Sequence, residues 1–191
     1  MNAVRPTPLR HLPNALCVLR MLMAPPIAWM IVADHAELAL VCFLIAAVSD
    51  VVDGWLAKRY GWQSQIGGWL DPLADKLLVL STATALALHA DLPWWLYGLI
   101  AVRDLVIVSG AVAYHFRYAP LHAEPTILGK LTTLTLVVLL VLLLYRNAHT
   151  GLPMAVADAL ILLSTALLLA SGADYVRRWS AKARLLKRGP G

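Results

Sequence analysis

Residues 50–76 read DVVDGWLAKRYGWQSQIGGWLDPLADK, and the four aspartates in this stretch decide how the chain is understood. Asp50 and Asp53 are three residues apart, and Asp71 and Asp75 are four apart. On helices, each pair projects to one side. Long apolar runs flank both pairs, and the polar segment KRYGWQSQIGG joins them. A short connection makes consecutive helices antiparallel neighbours, so the end of one lies beside the start of the next. The two carboxylate pairs are therefore expected to face each other at one depth.

The rest of the chain says what surrounds them. Of its 191 residues, 60% are hydrophobic and 14% are Asp, Glu, Lys or Arg, against about 45–50% and about 25% in soluble domains. A chain of this size has too little interior to hide that much apolar surface, so the surplus faces lipid. Disorder and a disulfide scaffold fit poorly. Cys17 and Cys42 both lie in apolar stretches and read as small hydrophobes rather than as a disulfide or metal site.

A helix crossing a hydrocarbon core of about 30 Å needs about 20 mostly apolar residues. Six segments qualify: Leu12–Val32, Leu38–Leu56, Trp69–Leu88, Trp94–Phe116, Leu131–Tyr145 and Met154–Val176. They do not alternate polar and apolar residues, which argues against barrel strands. The expected fold is an all-α integral membrane protein of six transmembrane helices, with residues 1–191 forming one domain. Arg20 breaks the first apolar run, and no small-residue cleavage pattern ends it, so it reads as a span rather than a signal peptide.

The connections 33–37 and 89–93 carry acids and no Lys or Arg, and the loop between spans five and six carries only Arg146. On the other side stand Arg5, Arg10, Lys58, Arg59, Arg117 and Lys130, together with a basic tail over residues 177–191. The positive-inside rule then places both termini in the cytoplasm and the aspartates near that interface. The net charge of +5 belongs to this asymmetry and to anionic headgroups, not to nucleic acid. A multi-pass protein of a bacterial inner membrane is expected.

Ionisable groups within a membrane are costly and usually mark a functional cavity. Four carboxylates so close together could not all stay ionised alone, and divalent cations remove the conflict. Oxygen donors with no His or Cys nearby in the sequence select Mg2+, Mn2+ or Ca2+ over zinc or copper. Two such ions would balance four carboxylates, and two-metal sites recur where phosphoryl groups move. Gly54, Gly67 and Gly68 would let a bulky ligand approach the backbone, or would let helices pack closely. A cation-coupled transporter is the alternative, but it calls for acids at several depths, and spans five and six offer only Asp158 and Asp174.

These residues resemble the signature of the CDP-alcohol phosphatidyltransferases, D-x2-D-G-x2-A-R-x8-G-x3-D-x3-D. Here it reads Asp50, Asp53, Gly54, Ala57, Lys58, Gly67, Asp71 and Asp75, with every gap in register. Lys58 stands where the family usually has Arg; it keeps the charge but loses the planar fork that grips phosphate. The resemblance implies transfer of a phosphatidyl group from CDP-diacylglycerol to an alcohol, with release of CMP. It implies two Mg2+ or Mn2+ ions on Asp50, Asp53, Asp71 and Asp75, and Asp75 as general base on the acceptor hydroxyl. It places Gly54, Ala57, Lys58 and Gly67 around the nucleotide.

Arg20 follows a Pro13–Asn14 pair also frequent in the family, and Arg103 and Lys130 are further candidates for a polar, phosphate-binding pocket; each Arg could instead partner a neighbouring Asp or snorkel to the headgroups. The segments LDPLADK (70–76), Arg103–Asp104 and Pro125–Thr126…Gly129–Lys130 look most like cardiolipin synthases, whose acceptor is phosphatidylglycerol. Phosphatidylglycerophosphate synthases, which use glycerol 3-phosphate, are the next resemblance. Homodimers are frequent in the family, so a homodimer is a further expectation.

Overall fold

The structure is a computed structural model that describes residues 12–60, 67–117, 126–149 and 153–187. Side chains at 12–13, 57–58, 67–70, 72, 111–117 and 179–187 lie outside that description. All regular structure among the described residues is helical: α1 (Leu12–Val32), α2 (Ala36–Tyr60), α3 (Gly67–Leu88), α4 (Trp94–Arg117), α5 (Ile127–Ala148) and α6 (Met154–Lys187). Among these residues, Asn14–Val32, Ala36–Leu56, Ile127–Ala148 and Met154–Arg178 are long and apolar enough to cross a membrane. Large apolar side chains such as Leu22, Trp29, Val51, Leu105, Leu134 and Leu162 remain exposed, as a lipid-facing surface requires.

Two differences from the sequence reading concern length. The helices α2 and α3 run through Tyr60 and from Gly67, so both ends of the polar connection at 58–68 are helical; residues 61–66 lie outside the described residues. The basic tail also continues α6 as helix to Lys187. Its residues 180–187, SAKARLLK, are mostly strong helix formers, which explains the extension beyond the apolar span.

The chain divides into two compact units. One comprises Met1–Leu92 with Leu140–Gly151, and so holds α1, α2, α3 and the end of α5. There α1 packs on both α3 and α2. Its buried positions are Cys17, Arg20, Ala24, Ile27 and Ile31. That i, i+3, i+7 stripe is the spacing of one helix face. On α2 the buried stripe runs Ala39, Phe43, Ala46 and then Asp53. On α3 it runs Ala74, Leu78, Thr82 and Leu86. Arg20 and Asp53 therefore lie on the packing faces of their helices, not on the faces turned to lipid.

The far end of this unit is closed by two helix caps. At the end of α1, His35 N–H donates to Met30 O (2.8 Å) and Asp34 N–H to Ile31 O (3.2 Å). At the end of α3, Asp91 N–H donates to Leu86 O (2.9 Å) and Ala90 N–H to Ala87 O (3.2 Å). Both are Schellman-type ends, which require a left-handed residue. Asp34 (φ 59°) and Ala90 (φ 66°) fill that role although neither is glycine. Between the two caps, His89 meets Asp34 through Nε2 (2.8 Å) and Asp91 through Nδ1 (2.7 Å). Asn147 on α5 donates to the same Asp91 at 2.6 Å. Hydrogen bonding to Asp34 first, and to Asp91 next, pushes the His89 pKa up.

The other unit comprises Pro93–Leu139 with Leu152–Gly191, and so holds α4, the first part of α5 and α6. Here α4 packs on α6. Gly110 makes room for this packing, because a Cβ there would lie 3.1 Å from Tyr175 Oη. The Tyr175 hydroxyl donates to Ile107 O at 3.1 Å. Thr126 caps α5, its Oγ1 accepting from Gly129 N–H at 3.0 Å.

A carboxylate cluster closed around Arg20

Three helices of the first unit bring the candidate residues together. α2 supplies Asp50 and Asp53, α3 supplies Asp71 and Asp75, and α1 supplies Cys17 and Arg20. The two carboxylate pairs converge, as their spacing predicts. Their meeting point is the Arg20 guanidinium. Its Nη1 lies 2.6 Å from Asp50 Oδ1 and 2.8 Å from Asp75 Oδ1, and its Nη2 lies 2.7 Å from Asp53 Oδ2. One nitrogen is thus shared between an aspartate of α2 and an aspartate of α3. The fourth carboxylate, Asp71, accepts a hydrogen bond from the Cys17 thiol, which also reaches Asp53 Oδ2 at 4.0 Å.

The cluster has a floor and a rim. Arg20 is 1% exposed and Asp53 is 3% exposed. The Asp50 and Asp75 side chains are 38% and 40% exposed. Arg20 Nε is buried without a hydrogen-bond partner among the described residues, so the side chain works entirely through its two terminal nitrogens. Such a charge-assisted, forked arrangement is the strongest hydrogen bonding that side chains make. One guanidinium meets three carboxylates, with Asp71 beside them on the Cys17 thiol, and the cluster keeps an excess of acceptor oxygens.

Those oxygens are chemically suited to hard divalent cations. Among the described residues, however, no three His, Cys, Asp or Glu side chains are grouped around a common cation position. The carboxylates close on the guanidinium instead. Asp50, Asp53, Asp71 and Asp75 thus have the donor chemistry for Mg2+ or Mn2+, in an arrangement organised by Arg20.

The structure places two residues more closely than the sequence does. Arg20, read from sequence as a pocket cation, a partner for a neighbouring Asp or a snorkelling side chain, is the hub of three carboxylates. Cys17, read as a small hydrophobe, is buried but directs its thiol at Asp71. The signal for both was available: they are three apart on α1, on the face that carries Ala24 and Ile27. The glycine reading also sharpens. A Cβ at Gly54 would meet nothing within 4 Å, so no close helix contact explains this glycine. Ala57 and Lys58 lie on α2 and Gly67 opens α3, but their side-chain positions lie outside the described residues.

Arg103 and Lys130 belong to the second unit. The Arg103 side chain is largely buried, donating from Nη1 to Asp104 Oδ1 at 2.8 Å and from Nη2 to Ser171 Oγ at 3.4 Å. Its Nη2 would lie 3.8 Å from a Cβ built at Gly129, so it stands beside the capped start of α5. Arg103 is therefore held by partners within the bundle and does not extend toward headgroups. Lys130, one residue further along α5, is exposed.

Comparison with known proteins identifies the family. A family model described as CDP-alcohol phosphatidyltransferase matches residues 10–178. A Mycobacterium tuberculosis protein named probable phosphatidylglycerophosphate synthase is 33% identical over 177 residues, covering 88% of this chain and 81% of that protein. A Schizosaccharomyces pombe cardiolipin synthase (CMP-forming) and mitochondrial hydrolase fusion protein is 42% identical over 115 residues, 60% of this chain and 19% of its own length. The human cardiolipin synthase (CMP-forming) is 30% identical over 139 residues, 64% of this chain and 46% of that protein. The chain thus spans less than half the length of several relatives it matches, and most of the mycobacterial one. The match runs from α1 into α6 and takes in every signature residue, and on that ground the chain belongs to the CDP-alcohol phosphatidyltransferase family.

Proposed function

We propose that this protein transfers a phosphatidyl group from CDP-diacylglycerol to an alcohol, releasing CMP, in the synthesis of a polyglycerophospholipid. The observation that carries this reading is the convergence of Asp50, Asp53 and Asp75 from two helices on one buried point, with Asp71 beside them. Relatives named cardiolipin synthase and phosphatidylglycerophosphate synthase support phosphatidylglycerol or glycerol 3-phosphate as acceptor. The resemblances at residues 70–76 and Arg103–Asp104 favour phosphatidylglycerol.

In this reading Asp50, Asp53, Asp71 and Asp75 hold two Mg2+ or Mn2+ ions. Bound there, such ions would neutralise the donor diphosphate and the departing CMP. Asp75, on the open rim, takes the proton from the acceptor hydroxyl, since a base must stand within hydrogen-bond reach of that group. The hydroxyl oxygen attacks the phosphorus bearing the diacylglycerol, and the bond from that phosphorus to the bridging oxygen breaks, leaving CMP. Among the described residues no Ser–His or Cys–His pair stands at the cluster, so direct attack is favoured over a covalent enzyme intermediate. Gly54, Ala57, Lys58 and Gly67 flank the nucleotide, and Arg103 and Lys130 bind phosphate of the acceptor or donor.

The same reading makes all six helices spans of one functional domain, with both termini in the cytoplasm and the cluster near that face of a bacterial inner membrane. A homodimer fits the exposed apolar helix faces. The test supplies purified protein with labelled CDP-diacylglycerol, Mg2+ or Mn2+, and a panel of alcohols. The expected result is CMP and one polyglycerophospholipid, both abolished by a chelator. Turnover that survives chelation, or CMP release with none of these acceptors, would refute the reading.

A further inference from the structure

We infer that Arg20 is the resident cation of the carboxylate cluster: it holds Asp50, Asp53 and Asp75 together when no divalent ion is bound, and competes with such ions for them. This rests on the reading of these aspartates as metal ligands, and concerns how the site tolerates its own charge.

The argument starts from burial. A carboxylate as enclosed as Asp53 is strongly disfavoured unless a counter-charge touches it. Arg20 is equally enclosed, and its Nη2 stands 2.7 Å from Asp53 Oδ2. The same guanidinium spans the gap between helices, with Nη1 reaching Asp50 on α2 and Asp75 on α3. An arginine has the reach and the planar fork for this; a lysine presents one point charge. α1 is thereby tied to both neighbouring helices through charge, at the level where they would otherwise repel.

The oxygens that Arg20 grips are among those a divalent ion would use. A fixed positive charge within hydrogen-bond distance of three ligands opposes the approach of a second cation, and in a protected site that opposition is weakly screened. Replacing Arg20 by an uncharged side chain should therefore move two quantities in opposite directions. Cohesion of the metal-free protein falls, and affinity for the metal rises. A residue that merely orients the ligands for metal would lower both.

The test measures Mn2+ binding to full-length protein in detergent micelles without nucleotide, by electron paramagnetic resonance of free Mn2+, alongside thermal stability with and without Mn2+. Arg20→Gln should bind Mn2+ about tenfold more tightly than the unaltered protein. It should melt lower in chelator and regain the loss on adding Mn2+. Arg20→Lys keeps the charge and should fold readily, and its Mn2+ affinity should fall between the two. It answers the question alone if Arg20→Gln cannot be purified. Unchanged or weaker Mn2+ binding in both variants, or in Arg20→Lys when it alone is available, would overturn the inference. Asp53→Asn and Asp71→Asn separate the two readings. If they leave Mn2+ binding intact, the metal-ligand reading fails; if they abolish it while the Arg20 variants bind as before, only the inference about Arg20 fails.

Discussion

Replacing Asp75 by Asn should separate catalysis from stability, and Asp53→Asn should not. The Asp75 carboxyl is 40% exposed and shares Arg20 Nη1 with Asp50. The amide oxygen of Asn can still accept from Nη1, so the folded state loses less than about 1 kcal/mol, as for other partly exposed ion pairs. An amide cannot take a proton from an alcohol, and loss of a general base typically slows turnover about 10²–10⁴-fold. That range corresponds to about 3–5 kcal/mol of barrier. Asp53 is 3% exposed and meets Arg20 Nη2 at 2.7 Å. Neutralising it deprives a buried guanidinium of its one enclosed counter-charge, at a cost of about 3 kcal/mol even if the amide oxygen still accepts from Nη2. The assay pairs CMP release from CDP-diacylglycerol in mixed micelles with thermal unfolding of each variant. Asp75→Asn should be inactive and melt near the unaltered protein, whereas Asp53→Asn should be inactive and melt well below it. Normal turnover by Asp75→Asn would remove the proposed base, and equal melting losses in the two variants would refute the division into floor and rim.

Two further predictions concern the far end of the first unit. Folding raises the His89 pKa, so the clasp to Asp34 and Asp91 contributes fully below the ordinary value of 6.5 and fades as pH rises through the elevated one. The melting temperature should therefore fall between pH 6 and pH 9 by an amount that His89→Gln removes, worth under about 1 kcal/mol for so open a site; identical pH profiles for both proteins would contradict this. Ala90→Gly relieves a left-handed alanine and should stabilise the protein by about 0.5–1 kcal/mol, after the glycine's greater freedom in the unfolded chain is discounted. A lower melting temperature would show that the Ala90 methyl contributes more than its backbone costs.

Much of this architecture is legible in the sequence because lipid imposes a simple rule. Apolar runs of helix length announce α1, α2, α5 and α6, and Trp94 and Met154 begin helices at the residues where their apolar runs begin. The meeting of Asp50 and Asp53 with Asp71 and Asp75 follows from helical spacing and a short connection. Helix ends are less legible, since Arg, Lys, Ala and Leu continue a helix whether or not lipid surrounds it; α6 therefore outruns its apolar stretch. Partner choice is least legible. Arg20 has a span's worth of possible neighbours, and only the packing of α1 on both α2 and α3 selects the aspartates. The histidines illustrate the same gap. His89 shows no pattern in sequence, because Asp34 reaches it only after two helices have turned back on one another.

The gradation from Arg20 and Asp53 to Asp50 and Asp75 has a consequence for how such a protein can diversify. Sequence change near the sheltered guanidinium meets a penalty in folding before any chemistry is reached. Change around the open carboxylates meets no such barrier. A lineage adopting a new acceptor would accumulate its substitutions beside Asp50 and Asp75, leaving Arg20 and Asp53 as its ancestor had them.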